Sequence, residues 1–134
     1  MRESREKLKI SREDKQLEKL RQRFSEWIDG EIKDLKERGV KEKDREIRQT
    51  KERLESIKVK ELAIPQLKMF ETFEKFVINR ESEEDFDWKE FQALHTEALG
   101  ELKKEPNNSK QVSINLISEK LQPLIIKKQK EEEI

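Results

Sequence analysis

Residues 17–35, LEKLRQRFSEWIDGEIKDL, decide the fold class. Leu17, Leu20, Phe24, Ile28, Ile32 and Leu35 recur at steps of three and four, the spacing of one face of an α-helix. Trp27 sits at the edge of that stripe. The mean step lies close to the 3.6 residues of a straight helix, so packing against a neighbour fits better than a long supercoil. Gly30 falls inside the stripe, at a cost of about 1 kcal/mol relative to alanine. Upstream, Ser11-Arg12-Glu13-Asp14 reads as a helix start, a hydroxyl for an orphan N–H and carboxylates at the positive helix end.

Downstream, Arg38-Gly39 reads as a helix C-terminus, with a cation in the last turn and glycine where a left-handed residue is needed. A second helix is expected from Lys43 to Leu62, with Ile47, Thr50, Leu54 and Ile57 on one face. It would form an antiparallel hairpin with the first. The alternative is one uninterrupted helix through Gly39.

Ile64-Pro65 ends that element, because the residue before proline avoids helical dihedrals and Pro65 suits a first helical position. Leu67, Phe70, Phe73 and Val77 predict a third helix, with Phe76 alongside. Residues 79–87 form an acidic connector. Asp87-Trp88-Lys89-Glu90 starts a fourth helix carrying Phe91, Leu94, Ala98 and Leu102. Pro106-Asn107-Asn108-Ser109 is a loop and cap. A fifth helix carries Val112, Leu116, Ile117, Leu121, Leu124 and Ile125, kinked at Pro123.

No alternating strand pattern and no repeat of fixed period is present. The expectation is an all-α protein of about five helices: a charged helical hairpin or coiled-coil-like arm over 1–64, a compact bundle over 65–126, and a charged, frayed tail over 127–134.

Composition narrows the functions. The 134 residues hold 31 Lys and Arg, 31 Asp and Glu, one histidine, 3 glycines and no cysteine. A disulfide framework, a thiolate metal site and a cysteine nucleophile are excluded. Glycine is too scarce for a phosphate-cradling loop. No apolar signal core and no membrane span is legible, and the expected location is the cytoplasm. His95 has no carboxylate or histidine three or four residues away, so the helical metal motifs are absent. It reads as a boundary residue beside Phe91 and Leu99. The acids Glu81, Glu83, Glu84, Asp85 and Asp87 lack the glycine of a calcium loop and read as a solvated connector. No catalytic residue, metal ligand or cofactor site is expected, and the chain is read as not an enzyme.

Charge is balanced overall but unevenly laid out. Residues 1–60 carry 20 basic and 15 acidic side chains, whereas residues 61–134 carry 11 and 16. Between Lys36 and Arg53 only Val40 and Ile47 are apolar, so little surface can be buried there. The leading expectation is therefore a non-catalytic interaction or assembly subunit, packing its helices on a protein partner or a second copy.

The alternative is a nucleic-acid-binding subunit that reads the backbone of DNA or RNA. Its candidate contacts are Arg12, Lys19, Arg23, Arg38, Lys41, Lys43, Arg45, Arg48, Lys51 and Arg53. Interleaved acids such as Glu37 and Asp44 supply i,i+4 partners that would hold the same helices together without any ligand. No aromatic lies near the expected hairpin tip, which argues against base stacking there. In size and helix count the chain is similar to the small helical subunits of CRISPR effector complexes, a resemblance that implies a place beside a guide and its target. Phe86 and Trp88, where exposed in the connector, would be anchors for a partner groove.

Overall fold

The computed structural model describes the backbone of residues 2–42 and 45–133 and the side chains of 12–38 and 45–133. Five α-helices are present among the described residues, and no strand: α1 Arg2–Glu42, α2 Arg45–Glu55, α3 Ile64–Phe73, α4 Trp88–Lys104 and α5 Asn108–Glu133. The all-α expectation holds. The chain divides into two compact units, Met1–Glu55 and Ser56–Ile134.

In the first unit, α1 is longer than expected at both ends. Ser11 lies inside it, because residues 2–10 are mostly strong helix formers with no glycine or proline to stop them. Gly39 does not end it either: one glycine costs too little to halt a helix flanked by Lys, Arg and Glu. The C-terminus anticipated at Arg38-Gly39 is displaced to Glu42. Lys43 and Asp44 lie outside the described residues. α2 then packs back on α1 as a separate element, so a single uninterrupted helix is not formed.

Leu20, Phe24, Ile28 and Leu35 of α1 are buried, as are Ile47 and Leu54 of α2. Leu17 and Ile32 are only half-buried. Each fully buried side chain of this size contributes about 1.5–3 kcal/mol. These apolar groups are covered by the chain itself, so another polypeptide is not needed to shield them.

α2 is shorter than the expected 43–62. The helix stops at Glu55, and Lys58 is extended at φ −94°, ψ 98°. The cause is a competing bond. The Ser109 hydroxyl accepts from the Lys58 N–H at 2.8 Å and donates to the Ser56 carbonyl at 3.4 Å. Ser109 is buried, so these backbone groups are satisfied by a side chain 51 and 53 residues away. Ile57 and Leu62 are buried with the helices that follow, and a single 3₁₀ turn, Val59–Glu61, contacts α5. That is why the unit boundary precedes residue 64.

In the second unit α3, α4 and α5 pack against one another in all three pairings. α3 opens with Ile64, Pro65 taking the second helical position. Gln66 turns back so that its Oε1 accepts from the Ala63 N–H at 2.8 Å, half of a capping box, since alanine has no group to return the bond. Leu67, Met69, Phe70 and Phe73 are buried.

After Phe73 the helix widens into one π turn, Glu74–Ile78, marked by the Asn79 N–H bonding the Glu74 carbonyl at 2.8 Å. It closes with Glu81 N–H on the Lys75 carbonyl and Arg80 at φ 51°. The wider turn rotates the register. Val77, expected on the buried stripe, is exposed with Ile78.

Asp87 caps α4 as its sequence predicts, Oδ1 accepting from the Lys89 and Glu90 N–H groups at 3.1 Å. Asn107 does the same for α5, taking the Lys110 N–H at 2.9 Å. α5 buries Ile114, Leu116, Ile117, Leu121 and Ile125 and runs through Pro123, whose ring is exposed. Residues 127–133, expected as a frayed tail, are its last turns. Lys127 Nζ pairs with Glu83 at 2.6 Å, and Glu132 accepts the Trp88 indole N–H at 3.0 Å.

Two substitutions test this account by urea denaturation. Ser109→Ala removes the hydroxyl that accepts from the Lys58 N–H and is expected to destabilise by about 1–3 kcal/mol. Gly30→Ala adds a Cβ that meets nothing within 4 Å. It is expected to stabilise by roughly 0.5–1 kcal/mol.

Candidate interaction site

Two surfaces concentrate chemistry, one in each unit. In the second unit a groove of about 310 Å³ lies between α3 with its π turn and the start of α4. Phe76, Phe86, Phe91 and Leu94 supply apolar lining. Lys68, Glu71, Thr72 and Lys75 come from the α3 side, and Asp85, Asp87 and Glu90 from the opposite side. The aromatic rings hold the shape. Phe76 meets Phe86 edge-on at 5.1 Å between centroids, and Phe86 lies 6.3 Å from Phe91. Lys75 Nζ stands 5.9 Å from the centre of the Phe76 ring.

Phe86 is therefore not an exposed anchor. It is 5% exposed and packs in the core, because the 3₁₀ turn Glu83–Asp85 directs the next residue inward. Trp88 is half-buried, with its N–H given to Glu132 and the Lys89 Nζ 5.6 Å from its ring. Neither residue offers the free aromatic surface expected of a partner anchor.

The acidic connector is tied to α5. The hydrogen bond and the charge of Glu83 raise the Lys127 pKa above the usual lysine value. Among the described residues no three His, Asp or Glu side chains group as a metal site. No helix of the described residues is long and apolar enough to cross a membrane.

In the first unit the predicted basic residues fare unequally. Arg12, Lys19, Arg23 and Arg38 are exposed on α1, and Arg45 and Arg48 on α2. Lys51 is half-buried with Nζ 3.4 Å from Glu55, and Arg53 is half-buried. Lys43 and the side chain of Lys41 lie outside the described residues. Of the expected tip, Lys51 is thus held in an ion pair, while Arg38, Arg45 and Arg48 face solvent.

The informative grouping is elsewhere. Arg12, Lys15, Lys19 and Arg23, all exposed, succeed one another at steps of three, four and four. Lys15, absent from the candidate set above, completes the row. Lys15/Lys19 and Lys19/Arg23 are like-charge i,i+4 pairs, each opposing the helix by about 0.2–0.5 kcal/mol. Helical periodicity applied to charge, not only to apolar residues, would have revealed this row.

Searches of family models, of curated proteins and of solved structures each return no match.

His95 is half-buried and stacked on Phe91, 6.4 Å between ring centres. Burial lowers its pKa below 6.5. The folded chain thus resists the proton that the unfolded chain accepts at about pH 6.5. Stability is full above that pH and falls as the solution is acidified through it. Thermal unfolding followed between about pH 7.5 and 5.5, where most carboxylates stay ionised, should show a loss that His95→Gln reduces.

Proposed function

We propose that this protein is a non-catalytic helical interaction subunit, working in the cytoplasm by packing on a protein partner, and that the partner is a second copy of the chain. The single observation that supports this reading is the sorting of charge around the groove of the second unit. Lys68 and Lys75 line one side, and Asp85, Asp87 and Glu90 line the other. Only Glu71 breaks the pattern.

A groove with rims of opposite sign is self-complementary under a two-fold axis. Each basic rim meets the acidic rim of the other copy, as an isologous interface requires. Phe76, Phe86, Phe91 and Leu94 give the groove its apolar floor. Apolar floor with polar rim is the usual make-up of a protein interface.

Sedimentation velocity over rising concentration tests the reading. A monomer–dimer equilibrium is expected. Lys75→Glu places like charges across the interface and should weaken association more than ten-fold. Lys75→Glu combined with Glu90→Lys exchanges the two signs at that one pair and should recover part of the lost association. A monomer at every concentration, or a dimer indifferent to both variants, defeats the proposal.

A further inference from the structure

A second groove, of about 300 Å³, adjoins the first between the start of α3 and the later turns of α4. Lys68 and Leu94 line both. Its floor is apolar, made by Ala63, Ile64, Pro65 and Leu94. Ile64 is 50% exposed, more than any other large apolar side chain of the described residues. Pro65 is buried, and consecutive helical side chains diverge by about 100°, so its neighbour is turned outward.

On α4, Leu94, Glu97 and Glu101 fall within an arc of about 60°. Both carboxylates are exposed and line the groove one turn apart. Like charges at i,i+4 weaken the helix that carries them. Among the described residues neither glutamate is in an ion pair.

Charge at this groove does not balance. Of its described lining residues Lys68 is the one cation, against two carboxylates. In the dimer proposed above, Lys68 is matched to the acidic rim of the first groove. A second copy of the chain therefore brings no further cation for Glu97 and Glu101. What neutralises them has to come from a different molecule, one that also covers Ile64.

We propose that this groove docks a basic amphipathic helix of another protein. An apolar side chain of that helix rests on Ile64, Pro65 and Leu94. Its lysines or arginines, four residues apart, meet Glu97 and Glu101, which share the same rise of about 6 Å. A helix laid in a groove between two helices draws contact from its apolar face, while its charges set orientation. Nucleic acids and anionic membranes carry the wrong sign for these carboxylates. The inference does not rest on the dimer, because Ile64, Glu97 and Glu101 lie outside the first groove.

The test is isothermal titration calorimetry of the full chain at about 50 mM salt, where surface charge is weakly screened. The probe is a synthetic alanine-based helix with leucine and arginine each repeated at i,i+4. A counterpart has glutamate in place of every arginine. The basic peptide should saturate at one per chain, and the acidic one should not bind. Glu97→Lys with Glu101→Lys should weaken binding by about ten-fold or more, with unchanged helical circular dichroism. Ile64→Ala should weaken it about five-fold. Glu84→Gln with Glu131→Gln, on the acidic surface near Trp88, should bind as wild type. Lys75→Glu, aimed at the dimer, should leave peptide binding in place.

Absence of saturable binding overturns the proposal, as does binding that survives the Glu97/Glu101 variant or Ile64→Ala unchanged. Equal binding of the acidic peptide removes charge as the basis of recognition and overturns it. Binding lost in the Glu84/Glu131 variant, or in Lys75→Glu, moves the site to another surface and overturns it too. A chain that binds the peptide yet stays monomeric sinks the dimer and leaves this assignment standing.

Discussion

The helices of the first unit can bury one narrow stripe each. With 46% of the residues charged, most turns there bring a side chain that must stay in water. α1 shows the consequence most plainly: Leu20, Phe24, Ile28 and Leu35 are inside, while almost every residue between them is wet. The net stabilisation from so thin a stripe depends on each apolar group finding cover. α2 contributes Ile47 and Leu54, and the second unit gathers its aromatics into one core.

The same constraint makes local polar bonds matter. Where the apolar yield is low, the ends of elements are held by side chains that take stray backbone groups: Asp87 and Asn107 at helix starts, Gln66 at the Ala63 N–H, and Ser109 across the chain at 56–58. Not every buried polar atom is matched. Gln66 Nε2 and the Ser113 hydroxyl are buried without a hydrogen-bond partner among the described residues. Such groups cost free energy, which the surrounding core of Leu67, Phe70, Ile114 and Ile117 must offset. The exposed ion pairs contribute little to that sum, Lys127–Glu83 included.

Function follows from what is left over once the stripes are buried. In the second unit the π turn puts Val77 and Ile78 outward and opens a groove whose rims differ in sign. In the first, the outer face of α1 keeps Arg12, Lys15 and Lys19 exposed.

Helix periodicity was legible because the steps of three and four from Leu17 to Leu35, and from Phe91 to Leu102, reflect a local geometry that each turn repeats. The caps at Asp87 and Asn107 were legible for the same reason: donor and acceptor lie within three residues. What the chain order could not convey were effects between distant residues. Ser109 ending α2 acts over more than fifty positions, and Phe86 is inside because Phe76 and Phe91 close over it. The widening of α3 into a π turn, which carried Val77 out of the core, reflects packing and not propensity. The amino-acid sequence alone thus determined which faces are greasy and where α4 and α5 are capped, since those depend on neighbours along the chain. Only the tertiary structure decided where α2 stops and which aromatics are covered, because those depend on what folds alongside.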